Sequence, residues 1–150
     1  MKVEHYCKRN VAAINGSADV VDVARLMRER HVGFLVVFRD NDPLRCPIGV
    51  VTDRDIVLQV TAKEVDPRAV TAEDIMTRQP MIATEEEDVS DLIEGMRLAG
   101  IRRAPVVDSR GALSGIIAID DVIDVIATLL GHVAGSIKTE QRREWHRRQA

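Results

Sequence analysis

The chain has 150 residues, 45% apolar and 30% charged, a composition able to bury one globular core or two small fused ones. A net charge of −3 gives no general attraction to nucleic acid or anionic membrane, and 3% aromatic residues argue against a base-stacking surface. No apolar run approaches the ~20 residues of a membrane helix, Met1-Lys2-Val3-Glu4-His5 lacks a secretion signal's apolar core, and Cys7 and Cys46 form neither a CxxC pair nor a zinc-spaced cluster, so a cytoplasmic protein with reduced thiols is expected.

After an irregular lead-in over 8–15, Gly16-Ser17 reads as a helix start, with Val20, Val23, Ala24 and Met27 on one buried face. The apolar run 32–38 predicts a strand, closed by the turn cluster Asp40-Asn41-Asp42-Pro43. A returning strand spans 47–52, and a helix from Asp53 to about Val60 places Ile56, Val57 and Val60 on its apolar face. Residues 63–75 read as a linker that carries a helical turn through Glu73-Asp74-Ile75-Met76.

The plan then repeats. Thr84 with Glu87 reads as a capping box for a helix whose buried face is Val89, Leu92, Ile93 and Met96. Strands at 104–107 and 113–119 flank the turn Asp108-Ser109-Arg110-Gly111. A last helix starts near Asp120, and its apolar residues Val122, Ile123, Val125, Ile126, Leu129 and Leu130 spread widely enough to suggest a second packing surface. The repetition is direct. Asp19 recurs as Asp88, 69 positions on, and Gly49 as Gly115, 66 positions on. Two similar α/β lobes, each a small sheet with two helices, are therefore expected about a pseudo-two-fold axis, packed sheet to sheet with ligand clefts between them.

Gly49-Val50-Val51-Thr52-Asp53-Arg54-Asp55 is the best candidate for chemistry. It sets a strand end, a hydroxyl and a carboxylate at a helix N-terminus, where free N–H groups suit a phosphate and an acid suits ribose hydroxyls. The same Thr52 and Asp55 also fit a capping box that needs no ligand.

The duplicated helix–strand–strand–helix unit resembles a tandem pair of cystathionine-β-synthase-type (CBS) domains, a Bateman module, over about residues 8–132. The resemblance rests on Gly49-Val50-Val51-Thr52-x-x-Asp55, Gly115-Ile116-Ile117-Ala118-x-x-Asp121, Asp74-Ile75-Met76-Thr77 and Gly100-Ile101-Arg102-Arg103-Ala104-Pro105-Val106-Val107. It implies domains at 8–62 and 76–132 about the 63–75 linker, with 133–150 as a basic tail. It also implies adenosine-containing ligands (AMP, ADP, ATP, S-adenosylmethionine or NAD) in two clefts. The first would use Gly49, Val50, Thr52, Arg54 and Asp55 for sugar and phosphate. Its base would lie on Met76, Pro80 and Met81, beside Ile101, with Arg102 and Arg103 toward phosphate. The second would use Ile119, Asp120 and Asp121, with Ala12, Val32 and Gly33 around the base. Ala118 replaces Thr52 in the second copy, so the first cleft is expected to be the better site.

Both arginines flank a buried strand, where an anion or a carboxylate would have to meet them, unless they pair with local acids or reach solvent. Glu85-Glu86-Glu87-Asp88 is explained by a helix dipole rather than a metal, and His5, His31, His132 and His146 have no nucleophile partner. The tail carries Lys138, Arg142, Arg143, Arg147 and Arg148 against Glu140 and Glu144, with Trp145 the single tryptophan. It reads as a solvated helix, or as a docking element for an acidic partner or RNA. The expected function is a non-enzymatic regulatory module, a homodimer through faces near Val57 and Ile126, that binds an adenine nucleotide and controls a separate protein. The alternatives are a ligand-free dimerisation adaptor and a nucleotide hydrolase. The hydrolase has no Walker glycine loop, histidine base or metal constellation to support it.

Overall fold

The computed structural model describes the backbone of residues 1–149 and the side chains of residues 1–145. A 3-10 turn (Val3–His5) precedes β1 (Ala13–Asn15), α1 (Val20–Arg30), β2 (Phe34–Phe38), β3 (Pro47–Thr52) and α2 (Asp53–Ile56), which continues as a π turn over Val57–Thr61. Then come α3 (Ala72–Ile75), β4 (Thr77–Arg78), β5 (Ala83–Thr84), α4 (Val89–Ala99), β6 (Arg103–Val107), β7 (Leu113–Ala118) and the long α5 (Ile119–Gln149).

The two copies share their hydrogen-bond register. In β2 and β3, Phe34 pairs with Thr52, and the ladder slips between Val37 and Phe38. In β6 and β7, Arg103 pairs with Ala118, and the slip falls between Val106 and Val107, the corresponding residues. Leu35, Val36 and Val37 are wholly buried in succession, and so are Val106 and the facing pair Ala104 and Ile117 in the second sheet. Such β-rich runs suit strands covered on both faces. Asp19 caps α1 by accepting from the Asp22 N–H at 2.9 Å, and Asp88 caps α4 from the Ser90 N–H at 3.0 Å. Both helices end in a left-handed residue, His31 (φ 53°) and Gly100 (φ 67°), where glycine carries no steric cost.

Each copy lends its opening segment to the other lobe. Val3 is wholly buried in the second core, and its counterpart Ala72 is wholly buried in the first. The Val3 N–H bonds the Glu87 carbonyl at 3.0 Å, and the Ala72 N–H bonds the Ala18 carbonyl at 2.8 Å. Lys8 bridges Ile116 at the outer edge of β7, the place that Thr77 of β4 takes on Val50 of β3. The first sheet therefore runs β1-β2-β3-β4, and the second β5-β6-β7 with residue 8 at its rim. The crossings need glycine beneath them. A Cβ at Gly49 would overlap the Met76 thioether, and one at Gly115 would come within 2.8 Å of Cys7 Sγ.

Several expectations are corrected. The lead-in is not irregular, since Ala13–Asn15 forms a strand parallel to β2. Ala24 is exposed, and the half-buried Leu26 packs against the core instead. Val57 is 55% exposed. Thr84 ends β5 rather than capping α4, so the acidic run precedes the helix. Its acids have partners of their own: Glu85 pairs with Arg9, Glu86 with Lys2, Glu87 with the Thr84 N–H, and Asp88 with the N-terminal ammonium. That ammonium, with Ser90, holds the Asp88 carboxyl far below its ordinary range. Finally, α5 runs unbroken through Gly131 and Gly135 into the tail. A stretch of Ile119–Trp145 is long and apolar enough to span a membrane by length and composition. This corrects the expectation that no apolar segment approaches membrane length, because Asp124 and His132 interrupt the run without lowering its mean hydropathy enough to exclude it.

Candidate functional site

A cleft of about 700 Å³ opens between the lobes. One wall is the end of β3 and the start of α2, with Val50, Thr52, Asp53 and Arg54, beside Gly33 and Phe34 from the turn into β2. The other wall is the junction of α4 and β6, with Ala99, Gly100, Ile101, Arg102, Arg103 and Pro105. The exchanged lead-in supplies Thr77, Gln79, Pro80 and Met81. Three cations, one acid and an apolar rim thus face a common space.

The helix start is internally satisfied. The Asp53 N–H bonds the Gly33 carbonyl at 3.1 Å, and the Arg54 N–H bonds Asp53 Oδ1 at 2.8 Å. The Asp55 N–H bonds Thr52 Oγ1 at 3.2 Å. Asp55 Oδ2 accepts in return from the Thr52 N–H at 2.8 Å and from the Thr52 hydroxyl at 2.9 Å, a complete capping box. The N–H groups expected to be open for phosphate therefore already have acceptors, and Asp55 does not line the cleft. Gly33, assigned to the second cleft, lines the first. The Asp53 carboxylate lies against its Cα, where a Cβ would overlap it. Gly49 and Met76 also lie outside the lining, because Met76 is buried in the first core across Gly49.

Arg102 and Arg103 are 73% and 49% exposed, so no burial cost demands an anion. Their partner is Asp120 in the first turn of α5. Arg102 Nη2 donates to Asp120 Oδ1 at 2.8 Å, and Arg103 Nη2 stands 3.9 Å from Oδ2. Asp120 thus stands beside two of the cations of the first cleft. At the pseudo-symmetric position, Lys8 holds Asp121 at 2.7 Å, where Thr77 and Asp55 stand in the first lobe. The Ile119 N–H bonds the Arg102 carbonyl at 3.0 Å, Ala12 is buried in the first core, and Val32 is exposed. The second-cleft residues are therefore dispersed among core, surface and ion pairs.

The residues assigned to the first cleft from the sequence leave out Phe34, Gln79 and Ala99, and also Asp53, Thr77, Gly100 and Pro105, which are quoted in motifs but given no role. The repeat offset was the available signal for Phe34, because it is the counterpart of Arg103. The tail's Lys138, Glu140, Arg142, Arg143, Glu144 and Trp145 lie on the exposed last third of α5, and the side chains of His146, Arg147 and Arg148 lie outside the described residues.

Comparison with known proteins agrees with the duplicated architecture. The CBS domain family model matches twice, at residues 3–61 and 72–128. A protein of Methanopyrus kandleri with no assigned function is 34% identical over 142 residues, 94% of this chain and 70% of that one. A CBS domain protein of Pyrobaculum aerophilum, solved with AMP, is 29% identical with a TM-score of 0.73, covering 81% of this chain and 89% of that one. The hexameric CBS-CP12 protein of bloom-forming cyanobacteria is 32% identical with a TM-score of 0.70, over 82% of this chain and 69% of that one. With both matches falling on the two lobes, the chain belongs to the CBS domain family as a tandem pair of its domains.

Proposed function

We propose that this protein is a cytoplasmic, non-enzymatic regulatory module that binds an adenine nucleotide in the inter-lobe cleft and, as a homodimer, controls a separate partner protein. The cleft carries the reading: Arg54, Arg102 and Arg103 face one space with Pro80, Met81 and Ile101. The cations suit phosphate, and the apolar wall suits a base. AMP in the Pyrobaculum relative supports that ligand class. Since the amides of α2 are occupied, phosphate falls to the arginines, which accommodate AMP, ADP, ATP or NAD.

The test is a calorimetric panel of AMP, ADP, ATP, NAD and S-adenosylmethionine against the full chain and an Arg102→Ala, Arg103→Ala double variant. Binding lost in the variant supports the reading. No binding to folded, ligand-free protein favours a dimerisation adaptor, a reading to which the complete Thr52–Asp55 capping box lends weight.

A further inference from the structure

Gln79 is a cleft residue whose side chain the fold leaves unused. It lines the space between the lobes, directly before Pro80 and Met81 in the exchanged lead-in. Its side chain is exposed and forms no hydrogen bond or ion pair among the described residues. Other polar side chains around the cleft are engaged. Thr52 donates to Asp55, Asp53 accepts from the Arg54 N–H, and Arg102 donates to Asp120. The backbone of Gln79 is left-handed, with φ 49°, a conformation that is rare and costly for a residue with a Cβ. Glycine would fit this turn without that cost, so local folding gives no reason for a long amide here.

The duplication shows what this position does when it is committed. The offset of 69 makes Asn10 the counterpart of Gln79, and Arg30 the counterpart of Ala99. Asn10 Oδ1 accepts from Nη2 of Arg30, the last residue of α1. At the end of α4 that arginine is replaced by Ala99, which lines the cleft. The replacement removes the amide's intramolecular partner and leaves it open to a ligand. We propose that Gln79 selects adenine, its Oε1 accepting from the exocyclic amino group and its Nε2 donating to the adjacent ring nitrogen. A carboxamide presents one acceptor and one donor side by side, and that edge of adenine presents the complement. Apolar contacts hold the faces of any purine alike, so its edge groups need a polar partner. The position suits the role. Pro80 and Met81, which suit a base, follow Gln79 in the chain, whereas Arg102 and Arg103, which suit phosphate, come from the junction of α4 and β6. The inference rests on the nucleotide reading of the cleft and names the residue that sets its base.

Calorimetric titration of the full chain with AMP and with purine riboside 5′-monophosphate, which lacks the amino group, tests it. The parent is expected to bind AMP about fivefold more tightly, the worth of one hydrogen bond. In Gln79→Ala that ratio should fall to about one, with circular dichroism and unfolding midpoint unchanged. Gln79→Gly, which suits the left-handed turn, should lose the ratio in the same way and so separates the amide from the backbone. A parent chain that binds neither ligand refutes the nucleotide reading and the inference with it. A parent that binds both ligands alike refutes the role of Gln79 alone. So do variants that keep the parent's ratio, even where both ligands weaken together, because the residue then only shapes the turn.

Discussion

Replacing Asp120 by asparagine separates the arginines' two partners. In the free protein Asp120 accepts from Arg102 at 2.8 Å, between side chains 73% and 54% exposed. Ion pairs so wetted contribute about 0.2–1 kcal/mol. The variant should therefore unfold within about 4 °C of the parent. Binding should change more. A phosphate seated on both arginines would lie about 5 Å from the Asp120 carboxylate, and two like unit charges at that distance in water repel by about 0.8 kcal/mol. Releasing the pair and removing the repulsion together favour phosphate by roughly 1–1.8 kcal/mol, about five- to twentyfold in affinity. Isothermal titration with adenosine, AMP and ATP at constant ionic strength reads this directly. ATP should tighten by that factor, AMP by less, and adenosine should stay within about twofold. Equal changes for adenosine and ATP, or weaker ATP binding, would refute the assignment of phosphate to Arg102 and Arg103.

Asp55→Ala removes the acceptor for both the Thr52 N–H and its hydroxyl, and should cost about 1 kcal/mol, read as a midpoint lower by about 2–4 °C. Adenosine titration of the same variant shows whether Asp55 also serves the sugar. Val3→Ala hollows the second core from its borrowed segment and should cost about 1–2.5 kcal/mol in urea unfolding, whereas a surface tail residue would cost less than about 0.5. Asp88→Asn keeps a capping side chain but removes the charge that meets the N-terminal ammonium. The folded-state pKa of Asp88 is depressed, so its stabilisation is present above the ordinary carboxylate value near 4 and is lost as pH falls below it. The variant should melt below the parent at pH 7, and the gap should narrow steadily as the pH falls below about 4.

Local patterns announced much of this fold. Strand β3 lies where its apolar run predicts it, and the buried faces of α1 and α4 follow the helical period except at Ala24. The duplication announced two lobes because both copies retain the same caps and register. What local pattern could not convey is pairing over long range. Val3 is one apolar residue in a polar stretch, and nothing near it shows that its pocket lies beyond residue 83. Thr84 and Asp88 both look like caps, and only the offset from Asp19 distinguishes them. In the site, Val50, Thr52, Arg54, Pro80, Met81, Ile101, Arg102 and Arg103 were named from the sequence and line the first cleft, whereas Gly49, Asp55 and Met76 do not. Hydrogen-bond saturation was not legible, because the same Thr-x-x-Asp spacing serves a ligand and a helix cap equally well.

The exchanged openings bear on how the molecule comes apart. Each core is completed by a segment belonging to the other copy, so the loss of one lobe strips a buried residue from its neighbour. Unfolding should follow as a single transition, although the chain contains two of everything. If the polypeptide were cut in the 63–71 stretch, each half would carry the piece missing from the other, and the two fragments should regain stability only when mixed.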